Sequence, residues 1–211
     1  MLKHILWDWN GTLLDDARLT WESVSAILQS QGLREISFDT YRETFRMPAV
    51  HFYEGLGLDF SRTSMEEISE QFHSYYEAHL MECPLHAGVT EALEAVRASG
   101  KKQSILSAHP TAQLESAVQK YGLRHYFDHL SGSNSNQGAS KAAHGRAWFA
   151  QSGLATNEVL LIGDTDHDAE VAKEIGIQCI LISAGHQTHA RLEKTGAPVF
   201  FSVSDAVPHI L

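Results

Sequence analysis

The sequence predicts an α/β fold, a doubly wound parallel sheet interrupted by an inserted all-helical domain. Three observations support this prediction. After Gly88, short apolar segments alternate with segments of helical periodicity, as in a parallel sheet whose strands are joined by right-handed helical crossovers. Residues 38–82 have helical periodicity, many aromatic side chains and few β-branched runs. Residues 3–9, KHILWDW, form an apolar segment of the length expected for a short buried strand.

The local pattern assigns each element in chain order. Leu19, Val24 and Leu28 recur at helical spacing and predict a helix over residues 15–31. The segment 84–88, PLHAG, ends the helical region and returns the chain to the sheet. Further elements are expected in this order: a helix containing 89–96, a strand at 101–108, a helix containing 114–121, a short strand at 129–131, a helix at 141–152, a strand at 158–164, a helix ending at 175, and strands at 178–183 and 199–203.

These assignments divide the chain into two parts. Residues 1–14 and 85–211 are expected to form a Rossmann-like core, and residues 15–84 are expected to form the helical domain inserted after its first strand. A length of 211 residues suits a domain that carries such an insertion.

Composition excludes some classes of partner. The formal net charge is -10 at pH 7, which argues against a nucleic-acid partner because binding to the phosphate backbone depends on Lys and Arg. No apolar run is long enough to span a membrane, and the amino-terminal residues lack the apolar segment of a secretory signal. We therefore expect a cytoplasmic protein with no nucleic-acid or membrane partner. No pattern in the sequence indicates an oligomeric state.

Polar residues stand where the predicted strands end. Asp8 follows the first strand, Ser107 ends a later one, Lys141 begins a helix, and Asp164 and Asp168 follow the most apolar strand. Because the carboxyl ends of parallel strands lie on the same side of a sheet, these residues can converge on one site. Carboxylate oxygens suit Mg²⁺, which usually takes one or two carboxylates together with phosphate and water. The set therefore provides what phosphoryl transfer requires: a nucleophile, metal ligands, a cation and a hydroxyl group.

In their order along the chain, these residues resemble the four motifs of the haloacid dehalogenase-like hydrolases, and most closely the phosphoglycolate phosphatase-like branch with a helical cap domain. The first motif is DWNGTLLDD, which begins at Asp8, and the second is SILSAH, which contains Ser107. The third is Lys141 in GASKAAHGRAW, and the fourth is LLIGDTDHDAEVAKEIG, which contains Asp164 and Asp168. The resemblance covers nearly the whole chain.

The resemblance implies a role for each motif residue. Asp8 would be the nucleophile that becomes an aspartyl phosphate. Magnesium would be held by the carboxylates of Asp8 and Asp164 and the backbone carbonyl of Asn10, and Asp168 would position Lys141 or a metal-bound water. Phosphate would be bound by four residues: Ser107, Lys141, Gly11 and Thr12.

The implied function is that of a magnesium-dependent phosphatase which hydrolyses a small phosphate monoester through an aspartyl-phosphate intermediate. One residue departs from the family pattern, because Asn10 stands where these phosphatases carry an acid/base Asp. An amide cannot donate and recover a proton, so slow turnover is expected. Two alternatives remain open: a non-catalytic phosphate-binding or regulatory protein, and another hydrolase chemistry on the same scaffold.

Overall fold

The computed structural model describes residues 1–133 and 141–211. Its centre is a six-stranded parallel sheet with the strand order β3-β2-β1-β4-β5-β6. The strands are β1 (His4–Trp7), β2 (Lys102–Pro110), β3 (His129–Ser133), β4 (Val159–Gly163), β5 (Gln178–Ile182) and β6 (Val199–Phe200). The chain starts in the middle of the sheet, extends to one edge through β2 and β3, and then returns to build the other edge. This order confirms the predicted doubly wound parallel sheet.

Helices cover both faces of the sheet. They are α5 (Val89–Ala98), α6 (Thr111–Lys120), α7 (Lys141–Ser152), α8 (Asp166–Ile175), α9 (His189–Leu192) and α10 (Val203–Ala206). Successive side chains of β1 lie on opposite faces of the sheet. Ile5 and Trp7 pack in the core that includes α5, α6 and α10, whereas Leu6 packs in the core beneath α7 and α8.

Four helices, here called the helical insertion, lie between β1 and α5. They are α1 (Ala17–Ser30), α2 (Phe38–Thr44), α3 (Ala49–Gly55) and α4 (Met65–His79). Their apolar faces form a hydrophobic cluster that includes Leu28, Tyr41, Phe52 and Ile68. Tyr76, near the end of α4, packs instead into the core of the sheet, so this helix links the two clusters.

The helical insertion also contacts the loop that follows β5. The guanidinium of Arg42 on α2 donates to the carbonyl oxygens of Ser183, Gly185 and Gln187, at 2.9 Å for the last two. The Gln187 side chain donates in turn to the carbonyl of Phe45 at 3.0 Å. These bonds hold α2 over the carboxyl ends of the strands.

One predicted element is wrong in its extent. The strand expected at 199–203 contains only Val199 and Phe200, and Val203 begins a helix. Ser202 starts the helix instead, because its hydroxyl oxygen accepts a hydrogen bond from the Asp205 backbone N–H and so caps α10. Residues 138–140, at the start of the lysine motif, lie outside the described part of the chain. Within the described part, no helix is long and apolar enough to cross a membrane.

Candidate active site

The two central strands bring two distant aspartates together. β1 and β4 pair in parallel with Trp7 opposite Ile162, and the Asp8 N–H continues the ladder by donating to the Ile162 carbonyl at 2.8 Å. Asp8 and Asp164 are therefore the first residues beyond two adjacent strand ends. The sequence predicted this convergence from the strand pattern alone.

A third carboxylate and a lysine complete what we call the acidic cluster: Asp8, Asp164, Asp168 and Lys141. Ligand oxygens of the three aspartates lie within 4.8 Å of one another, and all three residues are buried. Lys141 Nζ lies 2.8 Å from Asp8 Oδ1 and 2.6 Å from Asp168 Oδ1. The cluster thus holds three carboxylates and one ammonium group, which contacts Asp8 and Asp168.

Asp168 is held by the start of its own helix. Its Oδ2 accepts hydrogen bonds from the backbone N–H groups of Asp164 and Thr165, at 3.2 and 3.0 Å, and from the Thr165 hydroxyl at 2.7 Å. These bonds form a capping box at the beginning of α8. Because this oxygen is fixed, the other one is aimed at Lys141, and Asp168 orients the ammonium group toward Asp8.

Burial and charge set the protonation of the cluster. Burial raises the pKa of Asp8 to about 6, against the opposing effect of Lys141. Burial also raises the pKa of Asp164 to about 7. Burial disfavours the charged forms of Asp168 and Lys141 as well, but their mutual attraction outweighs it, lowering the pKa of Asp168 and raising that of Lys141. Asp8 and Asp164 therefore need further positive charge to be fully ionised near neutral pH.

The acidic cluster suits a hard divalent cation. Its donors are carboxylate oxygens, its formal charge is negative, and the oxygens are close enough together to meet at one ion. Asp8 and Asp164 are the better candidates for direct ligands, because one Asp168 oxygen is paired with the Lys141 ammonium and the other accepts three hydrogen bonds, whereas each Asp164 oxygen accepts one.

The residues predicted to bind phosphate surround the same strand ends. Ser107, on β2 next to β1, is buried, and its hydroxyl oxygen accepts the His109 N–H at 3.1 Å. The Thr12 hydroxyl donates to Asp164 Oδ1 at 3.2 Å. Gly11 has a φ of +71°, which favours glycine, and its N–H donates to Asp16 Oδ1 at 2.7 Å. In this conformation Thr12 and Gly11 thus orient acidic side chains, and their role in phosphate binding stays a prediction.

A second buried group, here called the Asp16 network, comprises Asp16, Asn10, Tyr76 and His186. Asp16 Oδ2 accepts hydrogen bonds from Asn10 Nδ2 at 2.9 Å and from the Tyr76 hydroxyl at 2.5 Å. His186 Nε2 lies 3.6 Å from Asp16 Oδ1. Although burial opposes its ionisation, His186 and the hydrogen bonds lower the pKa of Asp16 to about 2. Burial likewise opposes the His186 charge, but Asp16 raises the histidine's pKa to about 9.

Sequence reasoning missed Asp16 and His186. Asp16 ends the motif DWNGTLLDD, where it could be taken for a solvated residue of a turn. His186 follows β5, and the only available signal was its position beyond the carboxyl end of a strand. The His186 backbone N–H donates to Asp164 Oδ2 at 2.7 Å, so the Asp16 network touches the acidic cluster directly.

Comparisons with known proteins show the family and the fold of the chain. The family model described as haloacid dehalogenase-like hydrolase matches residues 5–182. A phosphoglycolate phosphatase of Rhodobacter capsulatus is 25% identical over 191 residues, which cover 89% of this chain and 87% of the relative. An N-acetylmuramic acid 6-phosphate phosphatase of Pseudomonas aeruginosa is 24% identical, covering 88% of this chain and 83% of the relative. A solved haloacid dehalogenase-like hydrolase from Streptococcus pneumoniae has a TM-score of 0.86 at 22% identity, covering 100% of this chain and 99% of that one.

Proposed function

Because the chain belongs to the haloacid dehalogenase-like hydrolase family, as its four motifs indicated, we propose that it is a magnesium-dependent phosphatase that forms an aspartyl phosphate on Asp8. The observation that carries the proposal is the acidic cluster. A buried carboxylate, held against Lys141 and flanked by two more carboxylates, lies at the carboxyl ends of adjacent strands.

Asp8 is oriented for nucleophilic attack. Its Oδ1 accepts hydrogen bonds from the Trp9 N–H at 2.8 Å and from Lys141 at 2.8 Å. With Oδ1 held in this way, the carboxylate attacks phosphorus, a carboxylate-to-phosphorus bond forms, and the ester oxygen leaves with its electron pair. Water then hydrolyses the acyl phosphate, which releases inorganic phosphate and restores Asp8.

Asp8, Asp164 and the carbonyl of Asn10 would hold the magnesium ion, which supplies positive charge that offsets the repulsion between an anionic nucleophile and an anionic substrate. Lys141 adds a second positive charge beside Asp8, fixed there by Asp168. The Ser107 hydroxyl can donate to a phosphate oxygen, because its oxygen accepts the His109 N–H and its hydrogen has no acceptor among the residues that the structure describes.

The leaving alcohol needs a proton, and Asn10 cannot provide one. We therefore propose that turnover depends strongly on the leaving group, with aryl phosphates hydrolysed faster than alkyl phosphates. The substrate class is a small phosphate monoester, in line with the names of the matched phosphatases. The same residue favours one other candidate, a protein that binds phosphate without turnover.

Release of phosphate from an aryl phosphate, measured with magnesium and with EDTA, separates these candidates. The proposal expects release that requires the metal, together with a phosphorylated Asp8 peptide after acid quenching. Calorimetric binding of inorganic phosphate with no release would instead support the non-catalytic candidate. A panel of alkyl phosphates of two to six carbons, with and without a carboxylate, then defines the substrate.

A further inference from the structure

The side-chain nitrogen of Asn10 is fully engaged within the protein. Its amide nitrogen donates to Asp16 Oδ2 at 2.9 Å and to the Tyr76 hydroxyl oxygen at 2.8 Å. An amide nitrogen has two hydrogens, and both have a partner here. The amide is thus bound to Asp16 and Tyr76, two groups that sequence reasoning did not associate with it.

These bonds connect two separate parts of the fold. Asn10 lies on the loop that carries Asp8, and Tyr76 lies on α4 of the helical insertion. Tyr76 completes a closed triangle by donating to Asp16 Oδ2 at 2.5 Å, and its ring stacks on Phe72 with a centroid distance of 5.3 Å. A movement of α4 away from the sheet would therefore break bonds to the residue two positions after the nucleophile.

Asp16 explains why an amide suits position 10. Asp16 is 1% exposed and accepts the Gly11 N–H at 2.7 Å on its other oxygen. A carboxylate at position 10 would stand where Asn10 Nδ2 now donates, 2.9 Å from Asp16 Oδ2. Two carboxylates at this separation, one of them fully buried, repel each other, whereas the amide supplies two hydrogens to Asp16 and Tyr76.

We propose that Asn10 is a positioning residue, which through Asp16 and Tyr76 fixes helix α4 relative to the loop that carries Asp8. On this view Asn10 does not mark a lost acid; it is one half of an amide–carboxylate pair. The effect on turnover rests on the proposed phosphatase function, whereas the pairing itself can be tested by stability alone.

A double-mutant cycle tests the pairing in the full chain. Asn10→Asp places two carboxylates together, Asp16→Asn places two amides together, and the double variant restores one of each with reversed polarity. We expect each single variant to lower the equilibrium constant for folding, and the double variant to recover at least about tenfold of the combined loss. Mass spectrometry confirms that Asn10, which precedes Gly11, is intact in the wild-type sample. Additive effects, with coupling below about twofold, would overturn the proposal.

Turnover of the same variants gives a second and independent reading. If Asn10 positions the loop, Asn10→Asp alone lowers kcat on an aryl phosphate, and the double variant regains the wild-type value or exceeds it. If position 10 instead marks a missing acid, Asn10→Asp alone raises kcat on alkyl phosphates by about 10²-fold or more, and Asp16→Asn brings no rescue. That result would overturn the proposal. A wild-type chain with no turnover at all would count against the proposed function, and the folding cycle would still decide the pairing.

Tyr76→Phe tests the link to the helical insertion even if a charge variant fails to fold. It removes only the Tyr76 hydroxyl, which accepts a hydrogen bond from Asn10 and donates one to Asp16. We expect kcat to fall about three- to tenfold, in the range of one hydrogen bond, while KM for the aryl phosphate changes less than twofold. Tyr75→Phe, on the neighbouring position of α4, is the matched control, because the Tyr75 ring stacks on His79 and does not reach the network. Equal kcat values for the two variants would contradict the link.

Discussion

The acidic cluster and the Asp16 network are directly adjacent and both contain buried carboxylates, yet Asp8 and Asp164 behave in the opposite way to Asp16. Burial raises the pKa of Asp8 to about 6 and that of Asp164 to about 7, whereas the pKa of Asp16 falls to about 2. Burial acts in the same direction on all three groups, so the cause of the difference lies in their partners.

The number of donors for each carboxylate explains the contrast. Asp16 has His186 as a counter-ion and accepts hydrogen bonds from Asn10, Gly11 and Tyr76. In the acidic cluster the single ammonium of Lys141 is shared by Asp8 and Asp168, and Asp164 accepts the Thr12 hydroxyl and the His186 backbone N–H. A balanced group of buried charges stabilises a structure, and an unbalanced group is a candidate for binding a cation or an ionic ligand. The excess of carboxylates over positive groups therefore distinguishes the acidic cluster, which is the candidate active site, from the Asp16 network, whose charges are balanced.

The largest expected effect of breaking the acidic cluster is on turnover. Asp8→Asn replaces the attacking carboxylate with an amide, which is a poor nucleophile, so kcat should fall by about 10⁴-fold or more. The same variant removes a buried negative charge, and circular dichroism should show that the fold is intact. Asp128→Asn, at an exposed ion pair with Lys102, is the matched control. Activity of the Asp8 variant within a few-fold of the control would remove Asp8 from the mechanism.

The next largest effect is expected from removing the shared cation. Lys141→Met leaves the acidic cluster without a positive charge, and at pH 8 the free energy of unfolding should fall by about 3–5 kcal/mol. At pH 5, below the raised pKa values of Asp8 and Asp164, these carboxyls hold protons and the loss should be smaller. Urea denaturation at both pH values measures this, with Lys173→Met on the exposed face of α8 as the control. Equal unfolding free energies for the two variants at pH 8 would contradict the proposed excess of negative charge in the acidic cluster.

Much of this arrangement could be predicted from the sequence. Alternating strands and helices gave the parallel sheet, and the rule that strand carboxyl ends meet at one edge brought Asp8 together with Asp164. The helix predicted at 141–152 matches α7 (Lys141–Ser152). Such features depend on local periodicity and on the topology of parallel sheets, and both can be read along the chain.

The Asp16 network could not be predicted in this way. His186 and Asp16 are far apart in sequence, and they meet through the path of the loop after β5 rather than through a strand register. The contribution of Tyr76 depends on the rotation of α4 about its axis, which places this residue in the sheet core while much of the helix is exposed. The sequence therefore identified Asn10 as unusual without indicating the partners that account for it.

Magnesium should stabilise the protein, and the size of the shift should depend on pH. The folded-state pKa values of Asp8 and Asp164 lie above the ordinary value of 3.8, so the metal-free protein loses stability as pH rises through about 6 to 7. Metal ligands must be deprotonated, and binding is therefore stronger above this range. At 100 times the Kd, the melting temperature at pH 8 should rise by about 5–10 °C, and by less at pH 5.

Calorimetry with Asp164→Asn provides the control for this experiment, because the amide is a weaker magnesium ligand. The variant should be more stable than the wild type without metal at pH 8, and it should lose most of the magnesium-induced shift. A shift of the same size at pH 5 and pH 8, or one that survives in the variant, would place the ion elsewhere.

The smallest effect is expected at the far side of the Asp16 network, where a hydrogen bond can be removed without changing a charge. The Tyr41 hydroxyl lies 2.8 Å from His186 Nδ1, and in the protonated imidazole that nitrogen donates to the hydroxyl. Tyr41→Phe leaves this buried N–H without its acceptor, so the free energy of unfolding should fall by about 1–2 kcal/mol.

Tyr53→Phe is the control, because Tyr53 is also buried in the helical insertion and its hydroxyl has no hydrogen-bond partner in the described part of the chain. Turnover should stay within about twofold of wild type in both variants, since neither hydroxyl bonds to Asn10 or to the acidic cluster. The loss should also shrink as pH rises through about 9, because deprotonation of His186 replaces a charge-assisted hydrogen bond with a weaker neutral one, in which the Tyr41 hydroxyl donates to Nδ1. A loss that does not change between pH 7 and pH 10 would mean that His186 does not change its protonation over this range, which would contradict a titration near pH 9.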